Sequence, residues 1–278
     1  MNERSGWKYY NHAMIPDTVP HEPVNLTALE SGQIWKENPR ALFARWTTEF
    51  DCEKETQWWY VIKDTHLDLS QLKAKRRYEI RKGQRNFRVE KIVPADWVDD
   101  LLRITTAAFS GWPEKYRPTV NENKFRESVT NWTCYEVYGA FSLEEGELCA
   151  YAMLQKRGKC AEFNVLRANP AYEQQGVNAA IIAGMLMANE LFLKNGGYIC
   201  DGSRSINHET AFQDYLEKYF EFRKAYCKMY MAFRPGIGLV VKLLYPLRNT
   251  LTKLDHIGII HQISAVITMM TFAENQGK

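Results

Sequence analysis

The sequence predicts an α/β fold with a mixed, mostly antiparallel central sheet flanked by helices, an N-terminal extension and C-terminal helices. Three observations support this prediction. From Phe87 onward, segments with strand and helix periodicity follow one another in the order β α α β β β α β α β. Turn residues at Glu145-Gly146 and Gly158 separate three consecutive strand-like segments and suit hairpins. The chain has 278 residues, 45% of them hydrophobic, so it can bury a substantial core.

The N-terminal region precedes this alternating pattern. Four prolines interrupt residues 1–40, which are therefore expected to be irregular. Aromatic and β-branched residues in 41–50 and 58–65 predict two strands. A helix is expected to follow, with Asp68 or Ser70 as its N-cap.

Each element after Phe87 has its own signal. Asp96 and Asn121 begin two helices, and Gly196-Gly197 suits the end of a long one. A short apolar run at 198–202 is typical of a buried strand. The other segments follow in the same way: strands at 87–92, 134–143, 147–156, 160–166 and 223–233, and helices at 96–108, 121–132, 177–194 and after an N-cap at Asn207.

These patterns divide the chain into an N-terminal extension or truncated half-domain (1–86), an α/β domain (87–235) and a helical tail (236–278). The tail is expected to pack on the domain, with a membrane surface or an oligomer contact as alternatives, and it is too short and polar for a membrane span. The N-terminus lacks the apolar stretch of a secretory signal. The six cysteines include no C-x-x-C pair, so no metal site is expected and a cytoplasmic location is predicted.

The stretch Pro170-Ala-Tyr172-Glu-Gln-Gln-Gly176-Val-Asn178 lies between a predicted strand and a predicted helix. It resembles the phosphate loop P-x-[YF]-[RQ]-x-x-G-x-[GA] of the Gcn5-related N-acetyltransferase (GNAT) family, with Glu173 in place of Arg or Gln. The resemblance implies the GNAT fold and a coenzyme A whose pyrophosphate binds N–H groups at the helix N-terminus. The residues that it implies for the cofactor are Val165, Arg167, Gln174, Gln175, Gly176, Val177, Asn178 and Asn207.

A second stretch, from Asn207 to Phe222, resembles the N-x-x-A-x-x-x-Y-x-K-x-G-F signature of the same family with a slip of one residue. Glu221 stands where Gly is usual. This resemblance implies that Tyr215 protonates the departing thiolate. Tyr215 also lies on the apolar stripe of the predicted helix, so packing in the core is its alternative role.

Three segments, Leu72–Lys82, Ile199–Gly202 and Phe212–Phe222, are similar to stretches of the Fem-type aminoacyltransferases (R-x-x-I-R-K, a strand ending in Asp-Phe-Gly, and F-K-x-x-F-G). Those proteins contain tandem copies of this fold and extend peptidoglycan peptides from aminoacyl-tRNA. Residues 73–88 carry eight basic side chains and one acidic side chain. They form either a solvated helix or a contact for the phosphates of tRNA or of an anionic glycan carrier.

Acyl transfer to an amine requires removal of a proton, stabilisation of the carbonyl oxygen and protonation of the leaving group. Strict alternation along the strand at 160–166 turns Phe163 and Val165 to the core, and Glu162 and Asn164 to a cleft. Glu162 is therefore a candidate general base. An exposed strand carboxylate without a catalytic role is the alternative.

A polar loop follows the strand at 198–202, at the end where open α/β sheets bind ligands. Asp201 and His208 are candidate catalytic groups in it, since histidine titrates near neutral pH. Ser203 and Arg204 are candidate substrate-binding groups, because a guanidinium can hold an acidic group of a substrate. The alternatives are a turn without function and, for His208, an ordinary polar residue in the first turn of a helix.

Together these observations predict an enzyme: an N-acyltransferase that transfers an acyl group, first of all acetyl from acetyl-CoA, to an amine such as an amino sugar or a peptide amine. Two alternatives stay open, a Fem-like aminoacyltransferase that uses aminoacyl-tRNA and a catalytically degenerate GNAT-fold binding protein. Glu173 and Glu221 favour these alternatives. A homodimer is compatible with the sequence.

Overall fold

A computed structural model describes residues 6–112, 114, 117–205, 211–247 and 258–274. Its strands are β1 (Trp7–Tyr10), β2 (Ala13–Pro16), β3 (Phe43–Thr48), β4 (Trp58–Lys63), β5 (Phe87–Ile92), β6 (Glu136–Ser142), β7 (Leu148–Arg157), β8 (Cys160–Ala168), β9 (Tyr198–Ser203) and β10 (Arg223–Phe233). Its helices are α1 (Thr27–Glu30), α2 (Gln33–Glu37), α3 (Ala74–Asn86), α4 (Val98–Ser110), α5 (Glu122–Thr130), α6 (Val177–Ala188), α7 (Glu190–Lys194), α8 (Ala211–Phe220), α9 (Ile237–Leu244) and α10 (Gly258–Glu274).

The chain forms two compact units. The first unit comprises the described residues within 1–60, 203–210 and 224–278, and the second comprises those within 61–202 and 211–223. The three-part division that the sequence analysis gave stays a prediction. The basic helix α3 belongs to the second unit.

The second unit contains a sheet in the order β9-β8-β7-β6-β5. Strands β5 to β8 pair antiparallel, and β9 pairs parallel with β8. Gly146 and Gly158, with φ angles of 73° and 59°, lie in the turns that join β6 to β7 and β7 to β8. Both predicted hairpins and the mixed, mostly antiparallel sheet are therefore confirmed.

Helices cover both faces of this sheet. Ile92 and Val137 lie in a core cluster with Leu101 and Ile104 of α4. Val89, three residues before Ile92 in β5, faces the opposite side and touches α6 at Gly184, where an added Cβ would lie 2.4 Å from the Val89 Cβ. The sheet is thus the middle layer of three.

The first unit contains a sheet in which β1 pairs antiparallel with β2, β2 parallel with β3, and β3 antiparallel with β10. The expectation of irregular structure over residues 1–40 is wrong. Asn11 and His12, with φ angles of 45° and 63°, close the β1–β2 hairpin in the left-handed region. Pro16 is the last residue of β2, where a missing N–H does no harm.

Two other boundaries differ from the predictions. Helix α3 begins after Lys73, while Asp68 accepts a hydrogen bond from the Ser70 N–H (2.8 Å) and closes a separate turn. The predicted long helix at 177–194 divides at Asn189, whose side-chain amide donates to the Met185 carbonyl (2.8 Å) and to the Tyr138 hydroxyl (2.9 Å). These side-chain bonds compete with the backbone pattern and end α6.

The C-terminal helices are present as predicted, and α10 packs within the first unit through Met269, which clusters with Cys227 and Met229 of β10. Within the described ranges, no helix has both the length and the apolar character that a membrane crossing requires.

Candidate active site

The two parallel strands of the second unit separate where the site was predicted. The pairing of β8 with β9 covers Cys160–Glu162 and Tyr198–Cys200 and extends no further in the described chain. Both strands continue beyond it, β8 to Ala168 and β9 past Asp201. The carboxyl ends of the strands therefore border a wedge, the position where open α/β sheets take ligands.

A β-bulge shapes the β8 side of this wedge. Val165 pairs with Met153 and Phe163 with Leu154, so Asn164 is the extra residue. Phe163 and Val165 consequently face opposite sides, and the prediction that both face one core is wrong because it assumed strict alternation. Val165 packs against the cluster under α4, whereas the Phe163 ring lies 5.8 Å from that of Phe212 in α8. Asn164 is exposed.

Asp201 lies one residue beyond the last β8–β9 pair. Its burial raises the pKa of the carboxyl group to about 7, although a hydrogen bond with Gln213 of α8 acts in the opposite direction. A carboxyl group with this pKa is divided between its two protonation states at neutral pH. It can therefore accept or release a proton during a reaction.

Gly202 follows Asp201 with a φ angle of 111°, a conformation that favours glycine. Its N–H donates to the buried Cys200 sulfur (3.3 Å). A hydrogen bond with Cys160, together with burial, holds the pKa of the Cys200 thiol well above its usual value. The Cys200 thiol thus stays protonated and serves as packing under the site.

Glu162 is the other carboxylate at the separation point. Its Oε2 lies 3.5 Å from the Arg157 guanidinium, and the side chain is about one-quarter exposed, at 27%. At this distance the ion pair contributes little to the stability of the fold. Its role as general base stays a prediction.

Tyr215 is placed differently from Asp201. Its ring packs on Tyr219 (4.9 Å) and Phe220 (5.6 Å), and burial, with the nearby charge of Glu79 in α3, raises the pKa of its hydroxyl group. The phenol therefore keeps its proton, as a proton donor must. Positions 213 and 215 point about 200° apart on a helix, so Tyr215 faces α3 while Gln213 faces Asp201.

The predicted phosphate loop has the local form that the motif implies. Pro170–Gln175 is a 3-10 turn, Gly176 is left-handed (φ 89°, ψ 27°) and α6 starts at Val177. Asn169 caps the turn by accepting from the Ala171 N–H (3.1 Å). The N–H groups of the first turn of a helix have no intrahelical partners, which is what an anion site needs.

Helix α3 covers one side of that helix N-terminus. A Cβ added to Gly83 would lie 2.6 Å from the Gly176 carbonyl oxygen and 2.8 Å from the Ala180 nitrogen, so the two backbones touch. The Asn86 side chain also donates to the Gln175 carbonyl (2.9 Å). Gly176 is buried by this contact. A Cβ added to Gly176 would lie 3.1 Å from the Gly83 nitrogen, so its lack of a side chain also serves helix packing.

The remaining residues predicted for the cofactor are spread around this loop. Gln174 and Gln175 are exposed, Asn178 is half-buried and the Val177 side chain is buried. Arg167 lies over the Phe109 ring of α4 at 4.9 Å. Gln174 and Gln175 are thus the exposed side chains among these described residues.

Tyr172 ties the loop to the β6–β7 turn by donating hydrogen bonds to Glu145 and Glu147. These acceptors raise the pKa of its hydroxyl group. The phenol is thus a structural donor rather than part of the wedge.

The other predicted site residues lie elsewhere. Ser203 and Arg204 belong to the first unit and line a cavity there. Asn207 and His208 lie outside the described residues. No cluster of three or more metal-ligating His, Cys, Asp or Glu side chains occurs in the described part of the chain.

Sequence reasoning missed Gln213, the buried partner of Asp201. A signal for it exists, since Gln213 shares the helical stripe of Leu216 and Phe220, both fully buried. An amide on an otherwise apolar stripe requires a hydrogen-bond partner.

Comparison with known proteins gives the fold. No protein-family profile matches the sequence, and no curated protein matches it. The crystal structure of FemX is similar over 79% of this chain and 77% of that chain, with a TM-score of 0.51 and 9% identity. A conserved protein of unknown function from Bacteroides thetaiotaomicron covers 80% and 78%, with a TM-score of 0.51 and 13% identity.

The L-PGS structure from Bacillus licheniformis covers 83% of this chain and 80% of that chain, with a TM-score of 0.49 and 13% identity. The likeness to FemX confirms the predicted GNAT-like fold and its Fem-type resemblance at the level of structure.

Proposed function

We propose that this chain is an acyltransferase that acylates an amine in the wedge between β8 and β9, with Asp201 as the general base. The observation that carries the proposal is the position of this carboxyl group. It lies directly beyond the point where the parallel pairing ends, and burial brings its pKa to about 7.

The reaction requires a general base whose pKa lies near neutral pH. An amine acceptor must lose a proton as it attacks the acyl carbon, and a positioned base accelerates such a step by roughly 10²–10⁴-fold. Gln213 fixes the orientation of the Asp201 carboxyl group through their hydrogen bond. The exposed amide of Asn164, at the bulge opposite, is available to a bound substrate.

For the donor, we propose aminoacyl-tRNA, with acyl-CoA as the second candidate. The contact of Gly83 with Gly176 weighs against a pyrophosphate at the N-terminus of α6. Because of this contact, the basic helix α3 lies beside the N-terminus of α6. Ile80 and Gly83 of α3 are buried, and its exposed basic residues are Lys75, Arg81 and Arg85. Exposed cations along one helix attract nucleic-acid phosphates. Acyl-CoA retains support from the motif and from the exposed Gln174 and Gln175.

A binding experiment separates the donors. Filter binding of tRNA is measured against salt concentration for the native chain, for Lys75→Ala with Arg81→Ala, and for a control that carries Lys124→Ala with Lys159→Ala, two exposed lysines elsewhere in the second unit. We expect only the first variant to weaken binding and to reduce the salt slope by about one for each cation–phosphate pair removed. Stabilisation by acetyl-CoA, with no tRNA binding, would select the second donor.

Catalysis is tested separately with charged tRNA or acyl-CoA and a panel of amines, using mass spectrometry of the products. An acylated amine that forms with the native chain and not with Asp201→Asn supports the proposal. Binding of a donor with no product from any amine would leave the degenerate binding protein as the function.

A further inference from the structure

The first unit contains a partly open cavity of about 830 Å³. This size lies within the range of roughly 300–1,000 Å³ that is typical of sites for one small ligand. Most of its wall is apolar. It comes from β3 and β10, and from α9 and α10, through side chains that include Phe43, Phe233, Val240, Val241, Val266 and Met269.

Two arginines interrupt this apolar wall, Arg45 of β3 and Arg204. The Arg45 guanidinium lies 5.0 Å from the centre of the Trp58 ring. Burial lowers the pKa of both arginines. Both arginines are half-buried, and among the described residues neither guanidinium has a carboxylate within salt-bridge distance.

Arg204 is held in place by its surroundings. Its guanidinium lies over the rings of Trp59 (4.2 Å) and Phe272 (4.7 Å), and Nη1 donates to the Gln57 carbonyl (2.8 Å). Its Nε is buried and has no hydrogen-bond partner among the described residues. The group is therefore oriented before any ligand arrives, and it retains an unused donor.

Helix α9 gives the cavity an apolar approach. Val240, Val241 and Leu244 line the cavity, while Leu239 and Leu243 on the same helix are 67% and 69% exposed. A helix that is apolar on both sides suits contact with a hydrocarbon chain on its way into the cavity.

We propose that this cavity binds a single-chain amphiphilic anion, with its carboxylate or phosphate head at Arg45 and Arg204 and its alkyl chain between α9 and α10. The guanidiniums supply the charge that the head group complements, and the apolar wall takes the chain out of water. The cavity volume favours one chain over a larger lipid. This site is additional to the proposed acyl transfer and does not depend on it.

The test is calorimetric titration of the full chain with dodecanoate and dodecyl phosphate below their micelle concentrations. Dodecanol, dodecyltrimethylammonium, hexanoate and inorganic phosphate are the comparison ligands. We expect one or both of the long anions to bind at least tenfold more tightly than each of these four. The two head groups distinguish a fatty-acid source from a lipid-phosphate source. Equal binding of inorganic phosphate, or of the cationic detergent, would overturn the proposal.

Variants locate the site. Arg204→Gln should weaken binding of the long anion at least tenfold, with folding checked by circular dichroism. Val240→Trp narrows the cavity and should weaken binding as well. Leu239→Trp, at the neighbouring and more exposed position outside the cavity wall, keeps the approach apolar and should leave the affinity unchanged. If Val240→Trp and Leu239→Trp behave alike, the anion binds elsewhere and the proposal is wrong.

Discussion

Two regions of the molecule each partly bury an ionisable group close to a candidate ligand site. The two groups differ in whether they can become neutral when they are buried. In the second unit, the wedge around Asp201 lets the carboxyl group give up its charge, because burial raises its pKa to about 7. In the first unit, Arg204 cannot do the same, since a guanidinium stays protonated in proteins. Burial therefore tunes an acid for proton transfer, whereas it leaves an arginine in need of an anion.

The ammonium group of Lys63 is intermediate between the carboxyl group of Asp201 and the guanidinium of Arg204. Lys63 of β4 is fully buried, and burial lowers the pKa of its ammonium group. It keeps its charge through Glu221, at 3.5 Å, and through a hydrogen bond to Thr65 (2.7 Å). A lysine can thus retain or lose its proton, and the neighbouring carboxylate decides which.

Catalysis at Asp201 should respond most strongly to mutation. Asp201→Asn should lower the rate of acyl transfer by roughly 10²–10⁴-fold, because an amide accepts no proton from the amine. In the native chain, kcat/KM should be high above pH 7 and fall as the pH decreases through about 7, where the base becomes protonated. Asp214→Asn, an exposed position on α8, serves as the control and should match the native chain. A native profile that is flat between pH 5 and 8 would remove Asp201 from the mechanism.

Asp201→Asn should lower the reaction rate but raise the stability of the fold at high pH. The folded-state pKa of Asp201 lies above the unfolded value of about 3.9, so the folded chain binds more protons between these values and loses stability as the pH rises from about 4 to 7. Asp201→Asn should therefore gain on the order of 3 kcal/mol over the native chain at pH 8, and little at pH 4. Urea denaturation at both pH values measures this difference. Equal stability of the two chains at pH 8 would mean that the carboxyl group is not desolvated.

The pair of Lys63 and Glu221 predicts a smaller effect. Glu221→Gln should destabilise the chain by about 1–3 kcal/mol at pH 7, because it leaves a buried ammonium group with a neutral partner. The loss should decrease toward pH 10, where Lys63 can release its proton. Glu190→Gln breaks the exposed pair with Lys194 on α7 and should have a much smaller effect on stability than Glu221→Gln. Chemical denaturation at pH 7 and 10 compares the two variants. A cost for Glu221→Gln that does not change with pH would argue against this account.

Features that depend on local periodicity and turn chemistry could be predicted from the sequence. Gly146, Gly158 and the helix start at Gly176 follow from the conformations that only glycine adopts easily. The bulge at Asn164 was not predictable, because it arises from the register of β8 on β7 rather than from β8 itself.

Glu221 shows how a departure from a motif can be explained by structure. Its φ angle of 58° lies in the left-handed region, which accounts for the Gly that the GNAT signature has at this position. The strain is offset by the ion pair with Lys63, 158 positions away in the chain. Contacts of this kind, like those of Arg45 in the cavity, join distant segments, and neither composition nor spacing reveals them.

Replacing Arg204 in the ligand-free chain should have the smallest effect on stability. Its measurement tests whether burial of this cation is left uncompensated, in contrast to the carboxyl group of Asp201, which can become neutral. Arg204→Met replaces a half-buried cation by an apolar side chain of similar length that can still pack on Trp59 and Phe272, so the stability of the ligand-free chain should change by no more than about 1 kcal/mol. Arg223→Met, which breaks a partly exposed pair with Asp64, should instead cost up to about 1 kcal/mol. Thermal and urea denaturation compare the two variants. If Arg204→Met costs more than about 2 kcal/mol, the contacts with Trp59, Phe272 and the Gln57 carbonyl already offset the burial of the guanidinium, and the cation needs no external anion.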